Sequence, residues 1–212
     1  MSSAADPIKL TRTYKEGDKS IYKMHMTELL ESADADVDAT FNETVKKVDD
    51  SGTTELDVSI TEFKIMAGGM DIPAPGPEPR TIKLDKTGIP FGGVEESSVT
   101  RLVPDLYVGF AYGKDLTPGH DVPVDFTDTG ETKTKTTGTI NLESVTSGIA
   151  KVTEKLKMAY PGDEPALHVD LTAYIDVATG KLDHMEGKLT NIPTKLAGRY
   201  MVQSAEFKVT RG

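Results

Sequence analysis

The sequence predicts a mainly β domain with a few short helices, in which a curved antiparallel sheet forms a half-barrel or open barrel. Three observations predict it. Apolar and polar residues alternate along several segments, Gly-containing turns separate these segments, and three turn landmarks recur in one order. The chain has 212 residues, enough for one large β domain, and we take residues 1–212 as a single domain.

The N-terminal part contains two clear strand patterns. In KSIYKMHM, Ile21 and Tyr22 begin two alternating sets, and Met24 belongs to the set of Tyr22. In ELDVSITEFKI the apolar positions alternate up to Ile60 and change phase at Phe63. An extra residue in a strand produces such a change, so the pattern predicts a β-bulge or a strand end between Ile60 and Phe63.

The C-terminal half contains the clearest hairpin, ALHVDLTAYIDVATGKLDHMEGKL, with its turn in DVATGKL. If the turn is centred on Ala178–Thr179, His168 pairs near residue 189 and His184 near residue 173. The two imidazoles are then too far apart to share a metal ion. Further strands are predicted in RTIKLDKTGI, in GTINLESV with a change of phase, and in YMVQSAEFKVTR.

Helix signals are few. GGVEESSVTRLVPDLY, residues 92–107, predicts one helix, because Glu95 and Glu96 lie in the first turn, where the helix dipole favours acids. PTKLAGRY predicts one further turn. In MAGGMDIPAPGPEPR, four prolines at alternate positions from Pro73 to Pro79 predict a stiff, exposed and extended connection.

Two stretches of the chain are alike, VKKVDDSGTTELDVSI and LESVTSGIAKVTEKL. Three landmarks recur in order: a Gly-led strand entry, a Ser-Gly hairpin, and a strand ending in Asp and a Thr-Gly turn. Their glycines are Gly17 and Gly119, Gly52 and Gly148, and Gly88 and Gly180. The recurrence predicts an internal repeat over approximately residues 14–93 and 116–190, whose two copies bury a shared interior.

These motifs also carry a resemblance. The Gly-Asp strand entry, the Ser-Gly hairpin and the Asp-x-x-Thr-Gly strand end resemble a bacterial envelope family that is similar to half-barrel lipoprotein carriers of the LolA and LppX type. The resemblance covers the chain from about Tyr14 to Val209. It implies a strongly curved antiparallel sheet with short helices on its concave side, in a protein that is exported or lipid-anchored.

Charge and composition exclude several classes of protein. The formal net charge is -10, from 34 acidic and 24 basic residues, and no Lys/Arg cluster interrupts it. The chain therefore repels phosphate backbones and anionic membranes, and we expect no binding to nucleic acid. There is no cysteine, which excludes disulfides and thiolate chemistry and leaves His and carboxylates as metal ligands.

The sequence contains no run as long as a membrane-spanning helix and no apolar signal core. The start, MSSAADPIKL, fits either an ordinary cytosolic start or a mature exported chain whose signal has been removed. The small residues Ser3, Ala4 and Ala5 favour export. We therefore expect a periplasmic or extracellular protein, and a cytoplasmic one otherwise.

No catalytic motif is found in the sequence. It lacks a Gly-x-Ser-x-Gly elbow, a Walker loop and a His-Glu-x-x-His motif. Without cysteine, a covalent nucleophile must be Ser, Thr or a carboxylate, and none lies in a recognisable context. We therefore expect a non-enzymatic protein with no catalytic residue.

Three aspartates form the sharpest constellation of functional groups. Asp34, Asp36 and Asp38 point to one side of an extended segment, and calcium favours such a density of oxygen ligands. The EF-hand pattern fails, because Ala39 and Val45 occupy its glycine and glutamate positions. One interpretation is an irregular calcium site, with Glu31, Glu43 or the Asp49–Asp50 pair as further ligands. The other is a solvated acidic edge that discourages aggregation. No other cofactor is expected.

Two functions fit the predicted fold. In the first, a non-enzymatic cell-envelope protein holds a lipid or other apolar ligand in its concave interior. The residues placed there, which are equally core candidates, are Ile21, Met24, Leu56, Val58, Ile60, Leu106, Phe110, Ile140, Leu142 and Leu171. In the second, a structural or protein-interaction module has a filled core, holds no ligand, and works through its sheet edge or its Pro-rich loop. A carrier needs a pocket of about 300–1,000 Å³, and a filled core lacks one.

Overall fold

The fold is that of a computed structural model, which describes residues 6–30, 34–88, 90–91, 109–127, 133–162, 165–193 and 202–212. Within these residues all regular secondary structure is β-strand, and all the strand ladders are antiparallel. The predicted mainly β class is confirmed. The predicted helix at residues 92–107 lies outside the described residues, and so does PTKLAGRY beyond Pro193.

The described strands vary from two residues to fifteen. In chain order they are β1 (Ile8–Lys9), β2 (Lys19–Leu30), β3 (Asp34–Val48), β4 (Thr54–Ala67), β5 (Met70–Ile72), β6 (Arg80–Leu84), β7 (Pro90–Phe91), β8 (Asp115–Leu116), β9 (Asp121–Thr127), β10 (Lys135–Thr146), β11 (Ile149–Ala159), β12 (Leu167–Asp176), β13 (Leu182–Thr190) and β14 (Val202–Arg211).

Twelve of the strands form one large sheet. Its order is β7-β6-β4-β3-β2-β14-β13-β12-β11-β10-β9, with β5 paired to β4 beside this path. Among the described strands β7 and β9 are the two ends and do not pair with each other, so the sheet is open rather than closed into a barrel. The remaining strands, β1 and β8, pair with each other in a separate two-stranded sheet.

The large sheet consists of two meanders that follow one another in the same direction. Strands β2 to β7 form the first meander and β9 to β14 the second, and they meet where β2 pairs with β14. At this junction Met26 lies opposite Phe207. The predicted repeat, residues 14–93 and 116–190, stays a prediction, and in the sheet β14 lies between the strands of its two parts.

One face of the large sheet, which we call the core face, is apolar, and the opposite solvent face is polar. On β2, Tyr22, Met24 and Met26 are buried on the core face, because alternate residues of a strand point to opposite sides. The core face forms one hydrophobic cluster to which both meanders contribute. Full burial of each large apolar side chain contributes about 1.5–3 kcal/mol to stability.

The changes of phase in the sequence correspond to bulges. On β4, Glu62 and Phe63 together lie opposite the single residue Ala39, so the bulge predicted between Ile60 and Phe63 is confirmed. Glu62 has a φ of 53°, and its carboxylate accepts a hydrogen bond of 2.8 Å from the Thr40 hydroxyl. A second bulge, at residue 143, interrupts β10 within the predicted strand GTINLESV.

The predicted hairpin of β12 and β13 is confirmed, but its register differs by one residue. His168 pairs with Thr190, and His184 pairs with Tyr174, where we had predicted residues 189 and 173. The turn is centred as predicted, and the difference arises because Asp183 is an extra residue in β13 just after the turn. The His184 ring consequently stacks on the Tyr174 ring, with 3.9 Å between centroids.

Candidate functional site

Most of the predicted interior residues lie on the core face. Six of them are between 0% and 5% exposed, namely Met24, Leu56, Val58, Ile140, Leu142 and Leu171. Ile60 and Phe110 are partly buried and pack against the same cluster. Leu106 lies outside the described residues. These eight side chains therefore lie together on one side of the sheet, and their binding of a ligand stays a prediction.

Ile21 is the exception, and its placement in the interior is wrong. Its side chain is 45% exposed and lies on the solvent face. The reason is the period of two in a strand: Ile21 and Met24 are three positions apart on β2, so they point to opposite faces.

The three aspartates predicted as a calcium site lie together on the solvent face of β3. Two of them are engaged by the neighbouring strand: Asp36 accepts a hydrogen bond of 2.8 Å from Thr27, and Asp38 lies 2.8 Å from Nδ1 of His25. In the described part of the chain, no group of three or more His, Asp or Glu side chains is arranged to hold a metal ion. The calcium site at Asp34, Asp36 and Asp38 stays a prediction.

The core face holds a buried ion pair in the first meander. Glu43 points inward from β3 between Phe41 and Val45, and its Oε2 lies 3.1 Å from Nη2 of Arg12. Both side chains are 3% exposed. Burial disfavours the charged form of Arg12, but Tyr14, Glu43, Tyr22 and Tyr112 together outweigh this effect and raise the guanidinium pKa above its ordinary value.

Tyrosines surround this ion pair. The guanidinium carbon of Arg12 lies 4.7 Å from the centre of the Tyr14 ring, a cation–π contact, and burial raises the pKa of Tyr14 to about 12. Burial also raises the pKa of Tyr22 and Tyr112. We call Arg12, Tyr14, Tyr22, Glu43 and Tyr112 the Arg12 cluster.

The Arg12 cluster ties the N-terminal segment to both meanders. The Tyr112 hydroxyl donates a hydrogen bond of 2.8 Å to the carbonyl oxygen of Gly180, in the turn between β12 and β13. Gly180 has a φ of 64°, and a Cβ there would overlap the backbone of Thr11 and Arg12. Only glycine allows this approach, so the Thr-Gly turn at Gly180 is also where the N-terminal segment crosses.

A second carboxylate is buried on the core face, in the other meander. Glu154 points inward from β11 between Val152 and Leu156 and is 1% exposed. Its carboxylate accepts hydrogen bonds from the backbone N–H groups of Phe110 and Ala111. Burial raises the pKa of Glu154 to about 7, although these hydrogen bonds act in the opposite direction.

The surroundings of Glu154 explain this pKa. Its direct cross-strand neighbours are Ile140 on β10 and Leu171 on β12, both buried and apolar. The positive charge of Lys114 lowers its pKa, but less than the two backbone hydrogen bonds do. Its Oε2 atom has no hydrogen-bond partner among the described residues. Glu154 is therefore a carboxyl group that changes its charge near neutral pH inside an apolar environment.

The solvent face carries a groove of about 620 Å³ that crosses β11, β12, β13, β14 and β2. Along it, directly paired residues alternate in charge in the order Lys155, Asp170, Lys188 and Glu206. The Lys188 ammonium lies 3.0 Å from a carboxylate oxygen of Glu206. Because these charges compensate one another across the strands, the groove presents no concentration of one sign to a ligand.

Sequence reasoning did not single out Glu154 or Arg12, and it considered Glu43 only as a further ligand of the calcium site. The structure buries Glu43 on the core face, opposite the three aspartates of β3, so Glu43 does not join them. The two glutamates have a readable signal, because FNETV and VTEKL each place Glu between two apolar residues at a spacing of two. In a strand with one buried face, that position points inward. Arg12 lies before the first long strand, in a segment without periodicity, and no comparable signal marks it.

Comparisons with known proteins assign no family. No protein-family model matches the chain, and no curated protein is significantly similar to it in sequence. Among the described residues there is no helix with the length and hydropathy needed to cross a membrane.

Proposed function

We propose that this chain is a non-enzymatic structural or protein-interaction module with a filled core, which acts through its surface and holds no ligand inside. One observation supports this choice: six side chains predicted to line an interior are between 0% and 5% exposed. An open lumen of about 300–1,000 Å³ would leave the side chains that line it exposed to water. Residues as closely covered as Ile140 and Leu142 are expected of a packed core.

Two of the four large apolar residues that are exposed in the described part of the chain lie close together and indicate where such a module makes contact. Met70 and Ile72 are 67% and 41% exposed, and both lie on the three-residue strand β5. Among the described strands β5 pairs with β4 alone. The prolines that follow, from Pro73 to Pro79, lack the N–H needed to extend a ladder. Strand β5 and this Pro-rich segment are the contact region that we propose.

The second candidate function is that of a cell-envelope carrier for an amphipathic molecule such as a lipid. It is favoured by polar atoms buried without partners among the described residues, notably Glu154 Oε2 and the Tyr14 hydroxyl. Buried polar groups are usually hydrogen-bonded, and the head group of an amphipathic ligand would supply the missing partners. The envelope location, in the periplasm or outside the cell, is proposed on the resemblance of the turn motifs alone.

The experiment that separates the two candidates is native mass spectrometry of the purified chain, followed by denaturing extraction into organic solvent. A filled core predicts the mass of the polypeptide alone and an empty extract. It also predicts the same Tm before extraction and after refolding from the extracted, lipid-free chain. A stoichiometric lipid or other apolar molecule, with a lower Tm after its removal, would overturn the filled core and establish the carrier.

A further inference from the structure

A small cavity adjoins the Arg12 cluster. Its volume is about 10 Å³, and its lining includes Arg12, Tyr14 and Glu43 on the polar side and Val45 and Leu56 on the apolar side. About 10–15 Å³ is the least space that holds one water molecule. The cavity therefore has room for one water and for nothing larger.

The cavity is bordered by hydrogen-bonding groups that have no protein partner. Arg12 uses Nη2 for Glu43, while its Nε and Nη1 have no acceptor in the described part of the chain. The Tyr14 hydroxyl is likewise without a partner there. The Arg12 side chain is almost completely buried, so bulk solvent does not satisfy these groups. Leaving such donors unpaired is costly, and native proteins commonly satisfy them with ordered water.

The charges that line the cavity balance one another and therefore favour a neutral ligand over an ion. Two cations, Arg12 and Lys181, and two acids, Asp18 and Glu43, belong to its lining. An added chloride or metal ion would leave one charge uncompensated in a mostly buried place. Water alone is small, neutral and able both to accept from the guanidinium and to exchange a hydrogen bond with the tyrosine hydroxyl.

We propose that this cavity is the binding site of one ordered water molecule, which accepts a hydrogen bond from Arg12 and bonds to the Tyr14 hydroxyl. The water belongs to the connection between the N-terminal segment and the first meander. It accounts for two of the unpartnered atoms of the core face without a lipid. The inference is independent of whether the remaining core is filled or hollow.

The first test is a high-resolution crystal structure of the whole chain after a sodium bromide soak. We expect one peak of water density within hydrogen-bond distance of Nε or Nη1 of Arg12, without anomalous signal. An anomalous bromide peak there would show an anion site instead. An empty cavity would show that the guanidinium is left unpaired, and either of these results overturns the proposal.

The second test uses NMR and two matched variants. Val45→Ile adds one methyl group at the wall of the cavity, and Val169→Ile makes the same change on the core face of the other meander, outside the cavity lining. We expect a cross-peak between water and Arg12 Nε–H in the wild type and in Val169→Ile, and its loss in Val45→Ile. A cross-peak that is absent from the wild type, or present in all three proteins, contradicts a water in this cavity.

Discussion

Two carboxylates are buried on the same face of the sheet, in opposite meanders, and they are held differently. Glu43 on β3 lies 3.1 Å from a guanidinium nitrogen of Arg12. Glu154 on β11 is held by the backbone N–H groups of Phe110 and Ala111. The first has a full opposite charge beside it, and the second has only peptide dipoles.

The difference decides how each carboxylate depends on its surroundings. In a buried ion pair each charge compensates the other, so its contribution to stability appears when one partner is removed and the remaining charge is left buried alone. A buried carboxylate with no cation in contact loses its hydration, and the backbone hydrogen bonds compensate for only part of that loss. Its pKa is therefore raised toward neutral pH. The contribution of Glu43 to stability therefore depends on Arg12, and the contribution of Glu154 depends on pH.

Removal of Arg12 has the largest expected effect. Arg12→Leu leaves Glu43 buried beside no cation, and we expect a loss of about 3–5 kcal/mol in the free energy of unfolding. The matched control is the double variant Arg12→Leu/Glu43→Leu, which removes both charges and should recover most of that loss. Urea unfolding followed by circular dichroism measures both. A single variant no less stable than the double one would show that the pair is not coupled.

The apolar wall beside Glu154 is the next target. Leu171→Ala should lower the free energy of unfolding by about 2–5 kcal/mol, because it opens a cavity in a packed face. It should also lower the pKa of Glu154, since water then reaches the carboxylate. Carboxyl ¹³C NMR measures the pKa, and urea unfolding measures stability.

Val145→Ala is the control for this variant, because Val145 is an exposed apolar residue on β10 of the same meander. It should change neither quantity appreciably. A mild effect of Leu171→Ala on stability would mean that Leu171 faces an open lumen, and would favour the carrier over the filled core.

The pH dependence of stability isolates Glu154 itself. Its pKa is about 7 in the folded protein against 4.5 in an unperturbed chain, so between these values the folded state binds a proton that the unfolded state has released. Stability from this group is therefore complete below pH 4.5 and falls by about 3 kcal/mol as the pH rises to 7.

Glu154→Gln should remove this fall, because the amide does not titrate and its oxygen still accepts from the backbone N–H groups. Glu186→Gln, on the solvent face, is the matched control for the loss of one carboxylate. The difference in unfolding free energy between wild type and Glu154→Gln is measured at several values of pH. A difference that is constant from pH 4.5 to 7 contradicts the assignment of this titration to Glu154.

The smallest effect is expected on the solvent face. Lys188 and Glu206 lie 3.0 Å apart, but both are well exposed to water. Lys188→Ala should therefore lower the free energy of unfolding by less than about 1 kcal/mol, as measured by urea unfolding. The decrease should be smaller still at high salt. A loss comparable to that of Arg12→Leu would mean that the solvent face is covered by a partner.

The strands were predictable because their signal is local. Alternation fixed the face of Met24, and a change of phase located the bulge near Phe63. Ile21 was misplaced because residues were grouped by hydrophobicity and not by their parity along the strand. The predicted cross-strand partner of His184 is wrong by one residue. The reason is that a single polar residue, Asp183, forms a bulge after the turn and leaves the apolar pattern unchanged.

The site was less predictable because its parts are distant in sequence. Glu154 can be recognised as inward-facing from the apolar residues around it, but its partners come from a loop more than forty positions earlier. Arg12 meets Glu43 only once the N-terminal segment folds over the sheet. The packed structure, and not a local sequence pattern, determines which acidic residue forms an ion pair with a buried cation.

The pairing of β14 with β2 also has a consequence for how the chain folds. Each meander is built from neighbours in sequence, so either can form early and with little loss of chain entropy. Their junction, in contrast, joins Met26 to Phe207, among the most distant contacts in the molecule. Until β14 has been synthesised and docked, the inner edge of β2 has no partner and is open to another chain. The last strand in sequence thus closes the middle of the sheet, and the interval before it arrives is when aggregation is most expected.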